Sequence, residues 1–183
     1  MNSVKDSLLN VFGGCNNPHC ICTINQPFED YNTTVLYVFD DDSGTSSQPV
    51  KVVTNEHPFQ LTINNPSNNI ITVGKLDKCL FTDAVSKCDC LVTDNNQLFF
   101  VEIKNASSGS RGARRTKAAR QLRLTIQTLK DNRFELENYK ATALICFKSE
   151  EPRITQASRN SAFALFRDEM GIRLEEGNVI DFD

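Results

Sequence analysis

Residues 88–104 read CDCLVTDNNQLFFVEIK, and the fold turns on how this stretch folds back on itself. Two strand-like runs, Cys88–Thr93 and Leu98–Lys104, flank Asp94-Asn95-Asn96-Gln97. Asparagine tolerates the positive φ angles that a tight hairpin turn demands, so the two runs are predicted to pair antiparallel. A turn over Asn95-Asn96 sets the register: Cys90 faces Val101, and Asp89 faces Glu102. Lys104 lies two residues beyond Glu102, and strand alternation places it on the same face. Two acids and a lysine thus converge on strands otherwise written in Cys, Leu, Val, Phe and Ile.

That convergence carries a chemical expectation. Cross-strand carboxylates repel unless a cation lies between them, and charges buried in a sheet are costly when unpaired. A divalent cation resolves the conflict, and two hard oxygen donors suit Mg²⁺ or Mn²⁺, which keep several waters and accept phosphate oxygens. Such an ion polarises a phosphodiester and acidifies a bound water, while Lys104 orients that water or neutralises developing charge. The pattern reads as a phosphodiester hydrolase. The bland alternative is a surface pair between Glu102 and Lys104 with Asp89 solvated.

Downstream, a Ser/Gly-rich link (107–112) leads into a helix expected from about Ala113 to Lys130, with Leu122, Ile126 and Leu129 as its inward stripe. The net charge of −3 conceals a strong asymmetry: residues 105–130 hold seven basic residues and no acid, inside an otherwise acidic chain. Surface helices usually mix signs to gain i,i+4 pairs, so a one-sign block points to a polyanionic partner. Arg111, Arg114, Arg115 and Lys117 are the candidate phosphate contacts. The competing reading pairs these cations with the acidic segments 40–42 and 174–183.

Taken as a set, residues 88–121 resemble the PD-(D/E)xK nuclease superfamily. Cys88-Asp89-Cys90-Leu91-Val92 is similar to its first strand element, with Cys88 where the family name has Pro. Phe99-Phe100-Val101-Glu102-Ile103-Lys104 resembles the second element, and Gln121 the helical glutamine that often follows. The resemblance implies a restriction-endonuclease-like α/β sandwich, a central mixed β-sheet flanked by helices, spanning residues 1–183 as one domain. Its catalytic core would cover about 70–150, with 1–69 as the family-variable part. It further implies Asp89, Glu102 and the Ile103 carbonyl as ligands of Mg²⁺ or Mn²⁺, Lys104 as catalytic lysine and Gln121 as a further catalytic residue near the metal. The implied substrate is nucleic acid, DNA in preference to RNA, in restriction, phage defence or repair. Many members carry a further metal-binding Glu on an earlier helix; here the available acids are Asp6, Glu29 and Glu56, none on a clearly helical stretch of the right kind.

The remaining elements are a helix from Val4 to Phe12 with Ser3 as N-cap and Gly13-Gly14 as stop, and strands at Thr33–Phe39, Phe59–Ile63, Ile70–Val73 and Tyr139–Phe147. A helix over Ser158–Glu169 and an edge strand within Ile172–Phe182 complete the expected chain. No internal repeat or domain boundary is evident. Composition, with 39% apolar and 23% charged residues, 12 Phe and no Trp, excludes collagen, coiled-coil and disordered classes. No run reaches the roughly 20 apolar residues of a membrane span, and MNSVKDSLLN lacks a signal-peptide core. Seven cysteines without even spacing favour reduced thiols and a cytoplasmic protein without membrane contact. Cys15, His19, Cys20 and Cys22 hold zinc-ligand types, but their spacing is irregular and no second half follows. Two other classes therefore stay open: a non-catalytic nucleic-acid-binding or regulatory module on the same fold, and a zinc-stabilised regulatory domain. Assembly is open as well, as a homodimer or within a larger complex.

Overall fold

The structure, a computed structural model, describes residues 3–13, 27–40, 49–55, 61–81, 86–104, 111–147 and 156–182. The Cys15/His19/Cys20/Cys22 cluster lies outside these residues. Helix α1 (Val4–Phe12) forms as its caps dictate. The Ser3 hydroxyl accepts the Asp6 N–H at 3.0 Å, and Gly13, at φ +75°, ends the helix by donating to the Leu9 carbonyl at 2.8 Å.

Strands β1 (Phe28–Tyr31), β5 (Ile71–Lys75), β6 (Cys90–Thr93), β7 (Gln97–Lys104), β8 (Lys140–Phe147) and β9 (Arg173–Glu176) form the central sheet, in the order β1-β5-β6-β7-β8-β9. Pairing is antiparallel from β1 to β7 and parallel from β7 to β9, so the sheet is mixed. The β6–β7 hairpin has the expected register, with Cys90 opposite Val101 and Thr93 opposite Leu98. At its tip Asn95 takes φ +73°, and Asp94 Oδ1 accepts the N–H groups of both Asn96 and Gln97. The parallel β7–β8 connection is made by α2 (Arg111–Asp131), whose Ala118, Leu122, Ile126 and Leu129 are buried against the sheet.

Helices cover only one face of the central sheet. Leu91, Leu98, Phe100, Ala143, Ile145 and Phe147 face α1, α2 and α3 (Gln156–Met170) in one core, where each fully buried large apolar side chain contributes about 1.5–3 kcal/mol. The opposite face is covered by a second sheet, ordered β10-β4-β2-β3, built from β2 (Val35–Phe39), β3 (Lys51–Val53), β4 (Leu61–Asn64) and β10 (Val179–Asp181). This corrects the expectation of a sheet simply flanked by helices. The reason lies in strand alternation: Leu36 and Val38, Leu61 and Ile63, and Ile180 are buried while their neighbours are half-exposed or exposed. Their apolar side closes on Val73, Val92, Val101 and Cys146.

The chain end departs from expectation too. Rather than one edge strand over 172–182, it divides between the two sheets: β9 runs parallel to β8 and β10 parallel to β4. Asn178 ties the crossing down, donating from its side chain to the Phe147 carbonyl at 2.7 Å and accepting the Thr62 N–H at its own carbonyl.

Gly74 marks the tightest approach in the central sheet. A Cβ there would sit 2.6 Å from Phe28 Cε1 and 2.8 Å from Leu91 Cγ. Gly74→Val should therefore cost about 2 kcal/mol or more in urea unfolding. Gly112→Ala, in open space at the start of α2, should leave stability equal or raise it by up to about 1 kcal/mol. Equal unfolding midpoints for the Gly74 variant and the parent would contradict this packing.

Candidate active site

The ladder between β6 and β7 stops at Cys90, and Asp89 takes over where it ends. Its backbone N–H donates to the Val101 carbonyl at 3.1 Å, and its carbonyl accepts the N–H groups of Leu76 and Asp77 at 3.1 and 3.2 Å. The side chain does not simply stand off the sheet as cross-strand pairing implies. Oδ2 accepts the Ile103 backbone N–H at 2.6 Å, supplying an acceptor that the shortened strand no longer offers. Ile103 itself points to the second sheet, and its neighbours Glu102 and Lys104 alternate to the helical side.

Glu102 is fully buried, at 0% exposure, and forms an ion pair with the Lys104 ammonium. Neither of its oxygens accepts a hydrogen bond of ordinary geometry among the described residues. Burial raises its pKa well above the usual carboxylate range, and the neighbouring Asp89 charge adds to this. Asp89, 7% exposed, is pushed up to about 7 by burial, against the opposing pull of Lys104 and the Ile103 N–H. For Lys104 burial works downward, but the charges of Glu102 and Asp89 outweigh it and raise the ammonium. The two acids and the lysine brought together by the hairpin thus form one electrostatic unit.

Helix α2 fixes the approach to Asp89. Gln121 Nε2 donates to the Lys87 carbonyl at 3.0 Å, and Thr125 Oγ1 accepts the Cys88 N–H at 2.7 Å. Gln121 therefore anchors the segment entering the site, while its Oε1 is buried with no partner among the described residues. Thr125 is legible in the sequence only as a polar residue on the inward face, four positions past Gln121. Asp77 was also missed: it sits on a π-helical turn (Leu76–Leu80) after β5, pairs with Lys87 at 3.4 Å, and bears electrostatically on both Asp89 and Glu102. Its signal was an acid inside the apolar run Leu76-Asp77-Lys78-Cys79-Leu80. Asp6 and Glu29, the earlier acids considered, pair elsewhere: Glu29 with Lys75, Asp6 with Ser3. Glu56 lies outside the described residues.

The basic block divides into two sets. Arg111 and Arg115 turn onto Glu176 of β9, at 2.9 and 2.7 Å, and Arg123 pairs with Glu169 of α3 at 2.6 Å. For Arg111 and Arg115 the competing intramolecular reading is thus the observed one. Arg114, Lys117 and Arg120 are exposed and form no ion pair among the described residues.

The donor set fits a hard divalent cation. Two carboxylates lie out of water, both with raised pKa, and Glu102 Oε2 is buried with no partner among the described residues, Oε1 being met by Lys104; a cation would supply the missing partner. Among the described residues no three His, Cys, Asp or Glu side chains are close enough to hold a metal by themselves. An ion here would take Asp89 and Glu102 as its side-chain ligands and complete its shell with water or substrate oxygens. Comparison with protein-family models, with curated proteins and with solved structures gives no match.

The Asp89 shift has a stability consequence. Its folded pKa of about 7 exceeds the ordinary value, so between pH ~4 and ~7 the folded chain holds a proton that the unfolded chain has lost. This contribution is full below pH ~4 and falls away as pH rises to about 7. Asp89→Asn, which keeps an oxygen acceptor for Ile103 N–H, should flatten the profile and be more stable than the parent at pH 8 by on the order of 1 kcal/mol or more. Urea unfolding at pH 5 and pH 8 measures this; parallel profiles for both proteins would contradict it.

Proposed function

We propose that this protein is a divalent-metal-dependent nuclease that hydrolyses phosphodiester bonds of nucleic acid, with DNA as the preferred substrate. The observation that carries the reading is the buried Asp89–Glu102 pair with Lys104 beside it: an arrangement costly to the fold, with no packing purpose, and suited to a hard cation. The resemblance of residues 88–121 to the PD-(D/E)xK superfamily supports the same reading.

Asp89 and Glu102 would hold Mg²⁺ or Mn²⁺, which when bound neutralises phosphate charge and acidifies a coordinated water. The Ile103 N–H holds Asp89 Oδ2 in place, so one carboxylate oxygen is oriented before any ligand arrives. Lys104, which pairs with Glu102 across one turn of the strand pleat, would face the phosphoryl oxygens and steady the water that attacks phosphorus. That attack forms one P–O bond and breaks another, and the departing oxygen takes up a proton from solvent. Gln121 and Thr125 keep Lys87 and Cys88 in position behind Asp89. Exposed Arg114 and Lys117 would meet the phosphate backbone without regard to sequence.

The other reading, a non-catalytic module on the same fold, is separated from this one by a single experiment. Plasmid, linear duplex and RNA are incubated with Mg²⁺, Mn²⁺ or excess chelator. Cleavage is expected with either metal and absent in chelator, and Asp89→Ala, Glu102→Ala and Lys104→Ala should each lower turnover on the order of 100-fold or more. Full cleavage in chelator, or parent-like cleavage by all three variants, would overturn the assignment.

A further inference from the structure

We infer that Asp77 holds the cation through water: a water coordinated by the ion between Asp89 and Glu102 donates to the Asp77 carboxylate, which makes Asp77 a positioning residue that sets metal affinity without touching the metal. This deepens the nuclease reading and rests on its cation.

The backbone fixes where Asp77 stands. The π-helical turn Leu76–Leu80 opens directly off β5, and the N–H groups of Leu76 and Asp77 both donate to the Asp89 carbonyl, at 3.1 and 3.2 Å. The third acid is thus tied to the peptide of the first. Its side chain, 29% exposed, stands at the wet margin of a site whose other two carboxylates are buried. Oδ1 lies 3.4 Å from the Lys87 ammonium, long for a charge-assisted pair, and Oδ2 has no partner among the described residues.

The ion's own chemistry supplies the rest. Mg²⁺ takes about six oxygens in octahedral geometry and gives up its waters reluctantly, so two carboxylates leave about four positions to water or substrate. A water polarised by a divalent cation donates strongly, and beside buried carboxylates its protons need acceptors from the protein. Asp77 meets that need. It is close enough that its charge helps to raise the pKa of both Asp89 and Glu102, yet among the described residues no three acids stand within reach of one ion. Without a cation, a third negative charge beside two buried carboxylates only opposes them. Glu102 Oε2, buried and met by no described residue, marks the same deficit from the inside. The rival role, neutralising Lys87, calls for a closer pair than the one observed.

The test measures metal binding and not turnover. Mn²⁺ affinity of the full chain is read at pH 8 from the EPR signal of the free ion, with urea unfolding of each variant alongside. Asp77→Asn, which keeps the shape and one oxygen, should weaken Mn²⁺ binding by about tenfold to 100-fold, the scale for a residue that orients a metal's ligands. Asp77→Glu should recover part of the loss. The decisive comparison removes the rival partner: in a Lys87→Met background, Asp77→Asn should weaken binding by the same factor as in the parent. Parent-like affinity in Asp77→Asn, or a loss that vanishes once Lys87 is replaced, would overturn the inference and leave the nuclease reading standing. Waters on the bound Mn²⁺, counted by spin-echo modulation in D₂O, need no Lys87 variant: their number should be the same in Asp77→Asn as in the parent, and one extra water would make Asp77 a direct ligand and overturn the role through water. A parent that binds Mn²⁺ but cleaves no nucleic acid sinks the nuclease reading alone, and the affinities still decide for or against Asp77. A parent that binds no Mn²⁺ overturns both.

Discussion

Two carboxylates held out of water at the open end of a hairpin, with one ammonium to share between them, are the constraint around which the rest of this molecule is arranged. Separately, Asp89 and Glu102 would each be a costly burial; side by side their charges also oppose one another. The fold tolerates them because Asp89 is fixed at every polar group of its backbone and at one side-chain oxygen, and because Glu102 has Lys104 two residues along the same strand. Among the described residues Glu102 lacks a full set of partners, with Oε2 met by none. The proposed cation would meet that deficit.

Helix α2 serves this constraint along its whole length. Its inner stripe, Leu122, Ile126 and Leu129, docks it across the sheet. From that position Gln121 and Thr125 reach the two peptides preceding Asp89. At its start, Arg111 and Arg115 meet Glu176, which arrives on the far strand of the same sheet. The second sheet has the complementary duty: by sealing the opposite face with Val38, Ile63 and Ile180, it keeps β6 and β7 apolar on the side away from the chemistry. One glycine, Gly74, permits Phe28 and Leu91 to close over β5, the strand that leads into the turn carrying Asp77.

The hairpin was readable because its signals are local. An Asn-Asn turn fixes register over a few residues, and the expected pairing of Cys90 with Val101 is the observed one, whereas the ladder ends there and Asp89 is held instead by Val101 and Ile103. The inward stripe of α2 and the caps of α1 were legible for the same reason. The second sheet was not, since its strands are three to five residues long and come from both ends of the chain. Nothing near Val179 announces that it will pair with Thr62. The division of the basic block was hidden likewise: Arg114 and Arg115 are adjacent in sequence, and only the docking of β9 decides that one turns to Glu176 while the other remains in solvent. Asp77 and Thr125 escaped notice because each acts through a contact distant in sequence, and a lone acid or threonine carries no spacing pattern of its own.

The central claim is that Asp89 and Glu102 together hold a hard divalent cation. Crystals grown at pH 8, above the point where Asp89 has lost its proton, and soaked in Mn²⁺ would show this through anomalous scattering. The account predicts one strong peak within roughly 2.0–2.6 Å of an oxygen from each carboxylate, with the Lys104 ammonium drawn away from Glu102. No peak in reach of either carboxylate at saturating Mn²⁺, with Glu102 still paired to Lys104, would contradict it.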